Sequence, residues 1–442
     1  MKVTFPLKTL WITLLASSTI GFAQTNIEFE EFDLNNGLHV ILHEDHSTPI
    51  VAVSVLYHVG SKNEREGRTG FAHFFEHLMF EGSPNIDRGE FMKIVQANGG
   101  SLNANTSNDR TFYYEVLPSN QLELGLWLES ERMLHATVDN KGVETQREVV
   151  KEEKRLRVDN RPYGSILEEM FKRTFKNSYY EHVPIGSLED LNAAEIGDFS
   201  DFYDTYYVPQ NATLSIAGDI DPTKTRTLIE QYFGAIPKGD KEINRPTNDP
   251  PPLPGEIVDT VYDNIQLPAV ITSYRTPKQG TKDAYAMEML AQLLSGGQSS
   301  MLYKKLVDDQ QKALTVQAFP FALESAGMFG SFGIVNSGVA PDELLAGIDE
   351  EIEKVKSEVI SEKDYTKVLN QIESQFISSN STMRGIAESL ANYHVYFNDA
   401  NLINTEIEKY RNISREDLHE VANKYLNKGN RVVLYYLPKQ SS

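Results

Sequence analysis

Three absences narrow this 442-residue chain before anything in it is read positively. It contains no cysteine, which removes a thiol nucleophile and a lipid-bearing cysteine behind a leader. It has no G-x-S-x-G nucleophile elbow and no Walker or dinucleotide-binding loop, so serine hydrolase and nucleotide chemistry have no carrier. Past residue 23 no stretch is long and apolar enough to cross a bilayer. Positive charge is also short, with 42 Lys and Arg against 63 Asp and Glu and a formal net charge of −21. That balance disfavours nucleic acid and anionic membrane surfaces as partners and implies a solvated acidic exterior.

The length supports two or more domains with ample core. Residues 1–23 read as a secretory signal, with Lys2 and Lys8 ahead of the apolar run 10–16 and small residues at Gly21 and Ala23. That run is short for an anchor. The expected product is periplasmic or secreted, with no membrane span after cleavage.

Among the residues that are present, His73-Phe-Phe-Glu-His77 is the most informative stretch. On a helix, positions i and i+4 share a face, so His73 and His77 can point at one ion. Glu76, one position earlier, can lean toward a water on the ion's open position. Two imidazoles, a carboxylate and water make a normal catalytic zinc set. The bland alternative is two histidines and a solvated glutamate on a half-buried helix face. Phe74, Phe75 and Phe80 read as core.

A third ligand is required. The segment 143–157 is charged and free of Gly and Pro, a helix candidate with Asp139 and Asn140 upstream as caps. Gln146, Val149, Val150 and Glu153 fall on one stripe, while Glu152 lies a further 100° round. A carboxylate on an apolar stripe is out of place unless it binds something. On this segment alone, a solvated charged helix is the simpler reading.

The chain resembles the peptidase family of pitrilysin, insulin-degrading enzyme and mitochondrial processing peptidase, whose signature is H-x-x-E-H. The matching residues are Val59-Gly-Ser-Lys-Asn-Glu64, Gly67, Gly70, the run 71–83, Asn103-Ala-Asn-Thr106, Gln146-Arg-Glu-Val-Val-Lys-Glu-Glu153 and Ile216-Ala-Gly-Asp219. They cover nearly the whole chain past residue 23, in the family's order. The resemblance implies a zinc peptidase with one Zn2+ per chain, ligated by His73, His77 and Glu153, with Glu76 as general base. It places Gln146 behind the ligands, where the family usually has a glutamate. It also implies that Asn103, Ala104, Asn105 and Thr106 form an edge strand to which a peptide substrate adds; read alone, they are a loop before a strand.

The sequence echoes itself. Pro49 and Pro268, and Asp198 and Asp417, open matching segments, and each pair is 219 positions apart. The expected architecture is α+β: two homologous sandwich lobes of helices on a mainly antiparallel sheet. Residues 24–238 would form the zinc-bearing lobe, 239–256 a Pro-rich linker, and 257–442 the lobe without metal ligands. Strands are expected over 51–55, 213–216, 270–273 and 432–436.

In the resembling family the second lobe supplies an arginine and, seven residues later, a tyrosine that steady the tetrahedral intermediate. Here those positions hold Val307 and Leu314, and the nearby Tyr303 is out of register. The expectation is a homologous partner subunit that supplies the Arg/Tyr pair, either a different chain or a second copy. A non-catalytic peptide-binding or assembly subunit is the alternative, and a metallohydrolase of a non-peptide substrate a third reading.

Overall fold

The computed structural model describes residues 26–246 and 250–439. The leader expected at 1–23 lies outside them, as do residues 247–249 of the expected linker.

Two sheets organise the chain. The first has the order β1-β2-β6-β3-β5-β4 and the second β7-β11-β8-β10-β9. In the first sheet these strands are β1 (Glu30–Asp33), β2 (His39–Glu44), β3 (Ile50–Tyr57), β4 (Ser101–Thr106), β5 (Thr111–Pro118) and β6 (Ala212–Gly218). In the second they are β7 (Ile257–Asp263), β8 (Ala269–Thr276), β9 (Ala313–Ala322), β10 (Gly327–Val335) and β11 (Arg431–Pro438). Within each sheet one pair is parallel, β2 with β6 and β7 with β11; all others are antiparallel. From β2 onward the two strand orders are equivalent. β3 and β8 start 219 positions apart, as do β6 and β11 and the helices Ile196–Tyr206 and Arg415–Tyr425. The fold therefore has two homologous α/β lobes. Among the described residues, no helix is long and apolar enough to cross a membrane.

The central strands are apolar on both faces: seven of the eight residues of β3 are buried, and all of β6. One face of the first sheet packs on helices of its own half, joining Val51, Val53 and Val55 to Phe74, Phe75 and Leu126. The other face is covered from the second half. Met383, Ile386, Ala387 and Leu390 of the helix Met383–Phe397 pack on Ile41, Ala52 and Ala217. The exchange is mutual. Ile166, Met170 and Phe171 of the helix Ile166–Thr174 pack on Ile271, Met328, Val432 and Leu434 of the second sheet. Each half thus lends a helix to the other's sheet, which explains why these strands read as continuous apolar runs rather than alternating ones. Packing consequently crosses the boundary that the Pro-rich segment marks in the sequence.

Candidate metal centre

The helix Phe71–Leu78 is amphipathic in an unusual sense: one face is aromatic core, the other carries the chemistry. Phe71, Ala72, Phe74, Phe75 and Leu78 are buried, and Phe71 and Phe74 each meet Phe199 at a ring-centroid distance of 4.6 Å. His73, Glu76 and His77 fall on the opposite face by their i, i+3, i+4 spacing. The helix starts at Gly70, whose φ of 93° favours glycine, and a Cβ there would sit 3.0 Å from the Ile185 carbonyl. Its first free N–H groups are met by a buried carboxylate. Glu64 accepts from Gly70 N and Ala72 N at 2.8 Å each, and His182 Nε2 lies 2.8 Å from the same side chain. A negative group at a helix N-terminus is favourable, and this one fixes the helix's entry angle. Burial pushes the Glu64 carboxyl up, against the pull of His182 and the two backbone donors. A cavity of about 600 Å³ opens beside Glu64 and His182, at this end of the helix.

The helix Asn140–Lys154, capped by Asp139 on Gly142 N, packs against the metal helix and brings Glu153 to it. Glu153 Oε2 lies 3.6 Å from His73 Nε2 and 3.1 Å from His77 Nε2. One ligand atom from each of the three residues falls within 4.8 Å of the others. Arg157, one turn on, binds the other Glu153 oxygen at 2.6 Å. The His77 hydrogen bond, with the nearby His73 and Arg157, holds the Glu153 carboxyl below its ordinary value. Burial, with the neighbouring His77, lowers the His73 pKa and so favours its neutral imidazole. Two neutral-capable imidazoles and an ionised carboxylate are the donor set of a zinc ion with an open position, so the residues present fit that metal.

Glu76 sits beside the cluster. Burial raises its pKa, and the hydroxyl of Thr106, which donates to Glu76 Oε2 at 2.6 Å, opposes the shift. Thr106 ends β4, which among the described residues pairs only with β5 and is the edge of the first sheet. Asn103 to Thr106 are therefore strand rather than loop, beside the metal helix.

Gln146 does not stand behind a ligand. Its amide donates to Glu81 Oε1 at 2.5 Å, and Glu81 also binds Arg88 Nε at 2.7 Å. It ties its helix to the loop that leaves the metal helix, while the buried Nδ1 of His73 has no hydrogen-bond partner among the described residues. Val307 lies in the helical turn Tyr303–Asp309, packed on the second core, and Leu314 in β9 is 52% exposed. Sequence reasoning missed Thr106 as a partner of Glu76, and Glu64 and His182 as supports of the metal helix. Arg157 was readable, since it lies four positions beyond Glu153 on a charged helix.

Comparison with known proteins identifies the family. The family model described as Insulinase (Peptidase family M16) matches residues 39–184, and that of the Peptidase M16 inactive domain matches 194–372. The chain is 32% identical over 416 residues to the zinc protease PqqE of Helicobacter pylori, covering 92% of this chain and 93% of that one. It is 23% identical to the uncharacterized zinc protease YmxG of Bacillus subtilis, over 85% of this chain and 93% of the relative. A solved protease from Helicobacter pylori superposes with a TM-score of 0.89 at 30% identity, covering 93% of this chain and all of that one. The periplasmic protease PqqL from Escherichia coli shares the fold, with a TM-score of 0.75 at 18% identity, and 92% of this chain spans 47% of it. With the two-lobed fold and the clustered His73, His77 and Glu153, these matches establish that the chain belongs to the insulinase family of peptidases, family M16.

Proposed function

We propose that the chain is a zinc metalloendopeptidase that hydrolyses peptides or unfolded segments. The observation that carries this reading is the convergence of His73, His77 and Glu153 beside Glu76, at the open edge of β4. The naming of relatives as zinc proteases supports it.

His73, His77 and Glu153 would hold the metal. Zinc, when bound, supplies Lewis acidity that polarises a carbonyl and lowers the pKa of water toward neutrality. Glu76 then takes a proton from the attacking water and returns it to the leaving amine nitrogen. Burial suits it to this work: its raised pKa lies closer to neutrality than that of an exposed carboxylate. Thr106 keeps the carboxylate turned toward β4, so a peptide paired along that edge would lie with its backbone beside the base. Recognition through backbone hydrogen bonds makes little demand on substrate sequence.

A homologous partner would complete the site. The positions expected to bear the Arg/Tyr pair carry Val307 and Leu314, neither of which can donate to an oxyanion. This chain corresponds to one half of the longer PqqL, so a second unit of the same fold is the natural source, whether another chain or a second copy. The leader read at residues 1–23 supports a periplasmic or secreted location.

The test is hydrolysis of an unstructured fluorogenic peptide by the zinc-analysed protein, alone and mixed with its nearest encoded homologue. Cleavage in the mixture that falls about 10²- to 10⁴-fold in Glu76→Gln, with zinc retained, supports the reading. Full cleavage by the isolated monomer would remove the need for a partner. Zinc-free protein that cleaves nothing in either case would favour a non-catalytic peptide-binding subunit.

A further inference from the structure

A second cluster with metal-ligand chemistry lies where the exchanged helix meets the first sheet. His39 opens β2, Glu31 lies on the neighbouring β1, and His394 comes from the helix Met383–Phe397 that the second half lends. One ligand atom from each falls within 4.8 Å of the other two. The two imidazoles stack with centroids 3.4 Å apart and planes 5° from parallel.

The hydrogen bonding around His39 suits a metal ligand. Its Nδ1 lies 2.7 Å from Asp33 Oδ1, and in the tautomer that donates there Nε2 is free to ligate. A carboxylate behind the far ring nitrogen is the usual support of a metal-bound histidine. Nε2 is buried and has no hydrogen-bond partner among the described residues. It lies 3.6 Å from Glu31 Oε2. That separation matches His73 Nε2 to Glu153 Oε2 in the catalytic cluster, and it suits two donors about 2.0 to 2.2 Å from one tetrahedral ion. The cleft in front has a volume of about 460 Å³. Arg245 also lines it, but its guanidinium is committed to the His58 carbonyl and to Asn211.

We propose that Glu31, His39 and His394 form a second binding site for a divalent transition metal of the zinc class, separate from the catalytic cluster, with Asp33 orienting His39 and water completing the shell. Two rings stacked face to face cannot both direct an in-plane lone pair at one ion, so binding would turn the half-buried His394 ring about its Cβ–Cγ bond. The ion would join β1 and β2 of one half to the helix contributed by the other. Its role is to clamp the exchanged helix, and a ligand that binds only the folded chain stabilises it.

The experiment is zinc-edge anomalous scattering from crystals of the full chain grown with zinc, together with metal stoichiometry after dialysis against buffer containing micromolar zinc. The expected result is two anomalous peaks and two zinc ions per chain, with His394→Ala and the exposed-site variant Glu31→Gln each retaining one. Thermal midpoints should rise with added zinc in the parent chain and less in either variant. A single peak at His73 and His77, with stoichiometry unchanged in both variants, would overturn the proposal. So would a pair that titrates but never takes up metal, because a proton would then be what lies between His39 and Glu31. A peak at His39 with none at His73 would leave this proposal standing and count against the catalytic reading instead.

Discussion

Glu76 is pulled two ways, and the balance sets a measurable pH dependence. Burial raises its pKa, while the hydrogen bond from Thr106 stabilises the carboxylate and lowers it. A general base must be ionised to act, so activity is lost as pH falls through its pKa. Thr106→Val removes one lowering influence and leaves the burial in place. The acid limb of the kcat/KM profile should therefore move to higher pH, with zinc content unchanged; a limb that stays put or moves down would separate Thr106 from the base. At this scale the sequence was generous with ligands and poor with their supports. His73, Glu76 and His77 announce themselves because one helix places them by spacing alone. Thr106 lies thirty positions from Glu76 and Glu64 caps its helix across a loop, so neither contact has a periodic trace. Gln146 shares a helical stripe with Glu153, yet stripe membership does not decide which neighbour a flexible amide reaches, and Glu81 takes it.

The decisive element is the edge strand β4. Asn103 to Thr106 are polar and short-sided, which reads as loop on propensity, and only pairing with β5 makes them a strand. Ser107 N donates to Arg110 O at 2.8 Å across the hairpin turn. By antiparallel alternation, Asn103 and Asn105 then turn their backbone groups toward β5, while Ala104 and Thr106 turn theirs toward the open edge. A bound peptide can therefore use only every second residue for backbone pairing. Single N-methylation along an otherwise constant substrate should raise KM with a period of two, by about 2- to 10-fold at each bonded position, from a net 0.5–1.5 kcal/mol per hydrogen bond. Uniform or side-chain-dominated effects would rule out strand addition. The metal helix was legible for the opposite reason: its Phe residues alternate with its ligands at helical spacing, so core and chemistry separate on one wheel.

For the whole molecule, the duplicated unit was visible in the 219-residue echo, but the exchange of helices was not, because an amphipathic helix does not say which sheet it covers. The halves also meet through charge. Lys62 is 2% exposed and binds Asp109 Oδ1 at 3.0 Å and Glu324, which also meets His58 Nε2 at 2.8 Å. Burial alone would raise the Glu324 carboxyl, but His58 and Lys62 outweigh it and lower it to about 2. A depressed folded pKa contributes stability above the ordinary value of 4.5, and that contribution is lost as pH falls from 4.5 toward 2. Glu324→Gln should thus lower the urea midpoint near pH 7 and narrow the gap to the parent chain across that acid window; a constant gap would mean the pair is not ionic.

Helix exchange bears on cooperativity more directly. Melting either half would strip a helix from the other's sheet and expose Ile41, Ala52 and Ala217, or Ile271, Met328 and Leu434, which are fully buried in the folded chain. Baring that apolar face costs each lobe the burial that covers its sheet, so the two should unfold together although the linker would let independent domains melt separately. Calorimetry should give one transition whose calorimetric and van't Hoff enthalpies agree. Two resolved transitions would mean that each sheet survives without its borrowed helix, and that the exchange follows folding instead of holding the halves together.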